Sequence, residues 1–192
     1  MRFRVVAALL LAAVVSVLPI AAQPDAFYEP GQQAPAQAPL RRPDIHWVPT
    51  PSAVVDAMLK LADVKATDVV YDLGCGDGVI VATAAQKYGA RAVGIDIDPQ
   101  RVKEATERAK KMGVSDKVEI RQGDLFEADI QEATVVTLYL LQSLNIKLMP
   151  KLQKELKPGT RIVSQSFNMG ESWPPEKTVE VNGYNVYMWT VK

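Results

Sequence analysis

Three aspartates stand where strands should end: Asp72 in "VVYD", Asp96 in "VGIDID" and Asp124 just after "VEIRQG". Between the first two lies a glycine loop, Gly74-Cys75-Gly76-Asp77-Gly78, in the stretch "DLGCGDG". Glycines after a strand let backbone approach a ligand, and the helix that follows offers free amides and a positive dipole end. Such a loop usually cradles a phosphate, but carboxylates on both sides of it change the guest. A fixed anion ~4 Å from a pyrophosphate charge costs roughly 1 kcal/mol or more even in bulk water. The dinucleotide fingerprint GxGxxG is also incomplete, because Val79 stands at its third position. Asp96 follows Gly76 by 20 residues, a spacing that suits a ribose contact in either kind of site. The loop therefore favours a cationic ligand without phosphate.

S-adenosylmethionine has that chemistry: a sulfonium, an ammonium, one carboxylate, a ribose and an adenine. Gly74, Gly76 and Gly78 give it room, and the helix start behind them suits its carboxylate. Asp72, with Asp77 nearby, favours the cation. Asp96 is placed for both ribose hydroxyls and Asp124 for the adenine amine. Asp77 can instead be read as shaping the turn, and Asp98 as a helix cap. Cys75 reads as a small loop residue, and a metal site is not expected.

The elements that must position these residues follow from periodicity and turn chemistry. Thr50-Pro51 reads as a cap and first helical position, with Val55, Met58, Leu59 and Ala62 on one face. Strands are expected over 69–73, 90–98, 117–122, 134–140 and 160–167. Helices are expected over 79–88, closed by Gly89, and from the Asp98-Pro99 start to Gly113. A helix over 143–156 should break or restart at Pro150. The run 177–191 reads as a hairpin about Asn182-Gly183. Strand and helix alternate five times before that hairpin. The fold class is therefore α/β: a doubly wound, mostly parallel Rossmann-like sheet closed by a C-terminal antiparallel hairpin.

Composition narrows the function classes. The chain has 192 residues, enough for one well-buried domain, and a formal net charge of zero. From Asp44 onward there are 18 basic and 20 acidic residues, a net charge of −2, so no nucleic-acid partner is expected. One cysteine excludes an intrachain disulfide, and His46 as the sole histidine argues against a His-rich metal site or a Ser-His-Asp triad. Residues 1–22 hold Arg2 and Arg4 before an uncharged apolar run over 5–22, the pattern of a signal peptide or a retained membrane anchor. Residues 23–43 contain five prolines and read as a disordered linker. The folded domain is expected over 44–192. The leader implies export or membrane anchoring, which is at odds with a cofactor made in the cytosol.

These motifs resemble the class I, seven-strand methyltransferases: "DLGCGDG", "VGIDID" and "QGDLF" match their first three motifs. The span from about Trp47 to Trp173 is similar to the archaeal and bacterial protein-lysine methyltransferases related to the mitochondrial enzyme that methylates the ATP synthase c-ring protein. "WVPTPSAVV", "ATVVTLYLL", "KLQKELKPGTRIVS" and "SWPP" carry that likeness. The chain departs from the family at Val79, where an arginine is usual, and it lacks the "(D/N)PPY" motif of many amino-methyltransferases. The resemblance implies that "VPTP" covers the cofactor, with Thr50 a contact, and that Tyr139 and Trp173 line the acceptor channel. It implies a protein substrate with an accessible lysine; a narrow aromatic channel beside a cation disfavours a charged amine, so no dedicated general base is expected. A small-molecule methyltransferase and an exported, non-catalytic binding module of the same fold are the alternatives.

Overall fold

The computed structural model describes residues 42–44 and 46–192. The leader assigned to 1–22, and all of the 23–43 linker except its last two residues, lie outside the described residues. Seven runs form strands β1 (Val69–Leu73), β2 (Arg91–Asp96), β3 (Val118–Gln122), β4 (Val135–Leu138), β5 (Arg161–Gln165), β6 (Lys177–Val181) and β7 (Tyr184–Thr190). Helices α1 (Ser52–Leu61), α2 (Val79–Tyr88), α3 (Pro99–Lys111) and α4 (Gln142–Glu155) complete the described elements.

The strands make one sheet in the order β3-β2-β1-β4-β5-β7-β6. The first five are parallel, and β7 runs antiparallel to both β5 and β6. Parallel strands covered on both faces must be apolar on both, and β4, "VVTL", is buried at every position. Alternate residues feed opposite layers. Val70, Val135, Val163 and Val186 pack with Val54, Met58 and Val81 on the α1–α2 face. Tyr71, Val136, Ile162 and Trp189 pack with Leu148 and Leu152 of α4 on the other.

The expected architecture is present, with shorter strands: β2 and β4 span 91–96 and 135–138. The expected break at Pro150 is absent, and α4 runs straight through it. Pro150 and Ile146 are exposed while Leu148 and Leu152 are buried. The carbonyl that the proline leaves unbonded therefore faces water, and packing holds the helix. Thr50 does not cap α1. Pro51 does, in an extended conformation and without a side-chain bond, its carbonyl accepting from Val54 N and Val55 N. Asp98 caps α3 as expected, accepting from Gln100 N at 2.8 Å. Asn182 and Gly183 both take positive φ, 52° and 80°, the geometry of a tight hairpin turn.

Sheet order reverses between β1 and β4, so the chain leaves in opposite directions from two adjacent strand ends. That opens a crevice, and the glycine loop lies at it. Gly78 fixes how the loop meets the layers: its φ is 75°, and a Cβ there would fall 2.7 Å from Ala105 Cβ of α3. It performs the close-packing duty that a dinucleotide fingerprint assigns to the next position. Gly78→Ala is expected to destabilise the fold by about 2–4 kcal/mol, from left-handed strain plus overpacking. Chemical denaturation checks this, and an unchanged midpoint would show that α2 and α3 can part at little cost.

Candidate active site

A cleft of about 1030 Å³ lies over the carboxyl ends of the strands on both sides of the switch point. Thr50, Asp72, Gly74, Asp77, Asp96, Asp124 and Tyr139 all line it. Gly76 and Gly78 support it from within the loop, and Trp173 is not among its walls. Elements far apart in the chain thus bring together most of the residues that the sequence singled out.

The three strand-end acids differ in what holds them. Asp72 is 3% exposed and accepts one hydrogen bond, from Thr137 Oγ1 on β4 at 2.8 Å. Burial raises its pKa, the threonine opposes that, and repulsion from Asp96 and Asp77 adds to it, leaving the carboxyl at about 7. Its value is raised above that of an unfolded aspartate, so stability from this group is lost as pH rises through about 7. Asp96 Oδ2 accepts from Gly76 N at 2.8 Å and its Oδ1 from Asp98 N at 3.0 Å. Burial raises its pKa and these amides resist the rise. It thereby pins the glycine loop to the end of β2. Asp124 Oδ1 accepts from Phe126 N at 2.9 Å, which fixes the turn after β3.

Asp77 proves to be a turn residue. Its Oδ1 accepts from Val79 N at 3.2 Å, its Oδ2 pairs with the Arg108 guanidinium, and Arg108 Nε donates to its carbonyl at 2.8 Å. With an arginine matching its charge, it joins α2 to α3. Cys75 is buried, and burial together with Asp72 and Asp96 pushes its thiol up, which makes it a packing residue and not a nucleophile.

Trp173 was expected in the acceptor channel. Instead it packs on the core: Trp189 Nε1 donates to its carbonyl at 2.8 Å, and the two rings lie 6.2 Å apart. Tyr139 does line the cleft, where burial and nearby Tyr184 raise the pKa of its hydroxyl.

Other contributors had no spacing signal. A Cβ on Gly76 would sit 2.1 Å from Trp47 Nε1, so only glycine admits this indole against the loop. The Arg101 guanidinium lies 4.5 Å from the Trp47 ring centroid and holds it from the other side. Asn145 Nδ2 donates to Ser164 Oγ and to the Phe167 carbonyl, at 3.1 and 2.9 Å, and so seats Phe167 in the cleft wall. Gln165 is fully buried, with neither amide atom hydrogen-bonded among the described residues. An unmade buried hydrogen bond costs about 1–3 kcal/mol.

Residues 72–177 match the model of a family described as the ANTKMT methyltransferase domain. The chain is 46% identical over 154 residues to a protein-lysine N-methyltransferase of Saccharolobus islandicus, covering 78% of this chain and 95% of that one. It is 32% identical over 137 residues to a lysine N-methyltransferase of Xenopus laevis named for the C subunit of ATP synthase, 71% of this chain and 59% of that one. Among solved structures, it is similar to an RNA methyltransferase from Salinibacter ruber in complex with S-adenosyl-L-homocysteine. That likeness has 62% identity and a TM-score of 0.74, over 75% of this chain and 94% of that one. A cleft suited to a sulfonium donor and relatives of this extent lead to one assignment: the chain belongs to the ANTKMT methyltransferase family and is an S-adenosylmethionine-dependent methyltransferase.

Proposed function

We propose that this enzyme methylates lysine side chains of a protein substrate. The observation that carries the reading is the change in character along the cleft. Following the sheet order from β3 to β5, the walls pass from Asp124, Asp96 and Asp72 to Tyr139, Leu140, Leu141 and Phe167. The acidic part suits the cationic donor, and the apolar, aromatic part suits an aliphatic chain ending in an uncharged amine. The relatives from Saccharolobus islandicus and Xenopus laevis, both named as lysine N-methyltransferases, support it.

The residues present fit the donor. The room at Gly74 and Gly76 would be filled by a side chain, since a Cβ would meet Leu140 and Trp47 respectively. Asp72 would hold the ammonium, Asp96 the ribose hydroxyls, Asp124 the adenine amine, and Thr50 with Trp47 would cover the ligand. S-adenosylmethionine supplies an electrophilic methyl on sulfur, which becomes a neutral thioether as the bond electrons return to it. The protein aligns the acceptor nitrogen with that methyl, and alignment alone can lower a barrier by up to ~7–11 kcal/mol. Lysine must first be neutral, which costs roughly 4.6 kcal/mol at pH 7 from a reference pKa near 10.4. Tyr139 and the leucines beside it disfavour a charged amine by desolvation. No side chain is assigned as a dedicated base.

The Salinibacter ruber protein's name raises a second reading, transfer to RNA. The net charge of −2 over residues 44–192 weighs against it, since backbone phosphates are held by clustered Lys and Arg. Of the three α4 lysines, Lys151 bonds Glu155 at 2.8 Å and Lys147 lies over the Phe126 ring at 4.1 Å, which leaves exposed Lys154 too isolated to make a cationic cluster. The leader at 1–22 supports attachment to a membrane or passage across it, which fractionation of tagged full-length chain tests directly.

Incubation with tritiated S-adenosylmethionine and separate protein, RNA and metabolite fractions decides the acceptor. Label on lysine is the expected result, and label confined to RNA or to small molecules overturns the proposal. Asp96→Ala is expected to weaken donor binding at least tenfold in calorimetry, since both a ligand contact and the Gly76 tether are lost; undiminished affinity removes Asp96 from the site. Tyr139→Ala should instead lower turnover and leave donor affinity near its original value.

Asp72 gives a pH signature. If the carboxylate form holds the ammonium, donor affinity is full above pH 7 and falls about tenfold per unit below it. Asp72→Asn should bind weakly without that slope. A slope that persists in the variant assigns the titration to another group.

A further inference from the structure

Gln165 ends β5. It is wholly shielded from solvent, and neither Nε2 nor Oε1 has a hydrogen-bond partner among the described residues. Buried amides are normally satisfied, and an apolar side chain of the same size would fill this position at lower cost. A group that disfavours the fold at a strand's carboxyl end has a reason to be looked for in the cleft.

Strand alternation fixes its direction. Ile162 packs on the α4 face and Val163 on the α1 face, so Gln165, two residues beyond Val163, faces α1. Asp72, two beyond Val70, faces the same way. The register pairs Asp72 with Thr137, Thr137 with Val163 and Leu138 with Ser164. One further step sets Tyr139 beside Gln165. On the other flank Gln165 pairs with Val186 of β7. Tyr184, two residues earlier in β7, packs on the α1 face and lies near enough to Tyr139 to disfavour its ionisation. Gln165 is thus flanked by Tyr139 and Tyr184, on the face of the sheet that bears Asp72. Two strand spacings across the sheet and two residues along it separate Gln165 from Asp72, roughly 12 Å in all.

Its backbone is firmly set. Phe167 N donates to the Gln165 carbonyl at 2.8 Å, and Ser166 N donates to the Asn185 carbonyl at 2.7 Å. Ser166 holds a φ of 66°, uncommon for a residue with a side chain, and Phe167 then enters the cleft wall. The amide stands on a fixed strand end beside Tyr139 and Phe167, which line the cleft; Gln165 itself is buried and does not line it.

We propose that Gln165 binds the acceptor: its Oε1 accepts one N–H of the incoming amine and so turns the nitrogen lone pair toward the transferable methyl. This rests on the amine reading given above. An amide can present either end by rotation about its last torsion, and an N–H donor selects Oε1. The neutrality of the group matters. A carboxylate in this place would stabilise the ammonium form of the acceptor, which has no lone pair to react, whereas an amide oxygen orients the amine with far less effect on its protonation. Engaging it requires the Tyr139 ring, which lines the cleft, to turn aside and uncover the buried amide.

The test uses the full chain with a lysine-containing protein that the wild-type enzyme methylates, and Gln165→Met and Gln165→Glu variants. Gln165→Met keeps the shape and removes both polar atoms. Its expected kcat/KM is tenfold to a hundredfold lower, with S-adenosylhomocysteine affinity within twofold of wild type and a thermal midpoint unchanged or raised. Gln165→Glu restores an oxygen acceptor but should move the rising limb of the kcat/KM pH profile to higher pH. Undiminished transfer by Gln165→Met overturns the proposal. So does a parallel loss of S-adenosylhomocysteine binding or of midpoint, either of which makes Gln165 a structural residue. A wild-type enzyme that labels no amine at all would overturn the amine reading first, and this inference with it.

Discussion

The site depends on a buried negative charge that the protein itself does not match. Asp68 and Asp72 lie four residues apart on either side of β1's apolar run, and both are nearly inaccessible. Burial raises the pKa of Asp68, but Thr134, the Lys65 amide and the Arg161 guanidinium together bring it below the ordinary carboxylate value. Asp72 receives one hydroxyl and has no ion pair among the described residues, and its pKa goes the other way. The same fold therefore neutralises a buried acid at the amino end of the strand. At the carboxyl end it leaves the acid exposed to repulsion from Asp96. A cation arriving from outside completes that end, which is the physical sense in which the cleft selects a sulfonium and ammonium donor over a phosphate.

The sheet order decides why the charge gathers there. Reversal of direction between β1 and β4 parts the loops above Asp72 and lets Thr137 come to it from the neighbouring strand. Asp96 then ties the glycine loop to β2, and Arg108 secures the far side of that loop through Asp77. The loop is held at both ends by carboxylates, one through backbone amides alone and one through an arginine. A charge count along the sequence cannot separate those two uses, because the separating partner sits 31 residues away on α3.

That distinction marks how much was legible beforehand. Element order, the switch point, the Asp98 cap and the Asn182-Gly183 turn were readable because each rests on local chemistry: periodicity, a capping side chain, two residues able to take positive φ. The residues lining the cleft were readable wherever a strand ended in an acid. The continuity of α4 through Pro150 is not legible, because a proline's cost is local whereas the packing of Leu148 and Leu152 that holds the helix is not. For Trp173 the sequence allows either a channel wall or a core residue beside two prolines, and only its packing with Trp189 distinguishes the two environments. Trp47, Asn145 and Gln165 were not singled out, since their roles arise from register and contact and not from spacing.

Methyl transfer from a sulfonium asks for opposite conditions at its two reactants, and the molecule supplies them within one crevice. The donor is a cation and gains from carboxylates close by. The acceptor reacts only as a neutral amine and loses if any carboxylate is close enough to hold its proton. The two demands conflict unless distance and dielectric separate them. Here the acids come from the ends of β1, β2 and β3, whereas the segments after β4 and β5 contribute Tyr139, Leu140, Leu141 and Phe167. Strand order thus becomes a gradient from anionic to apolar. A general base placed among those last residues would bring charge to the wrong side of the crevice, so the absence of an assigned one follows from the same electrostatic logic that places Asp72.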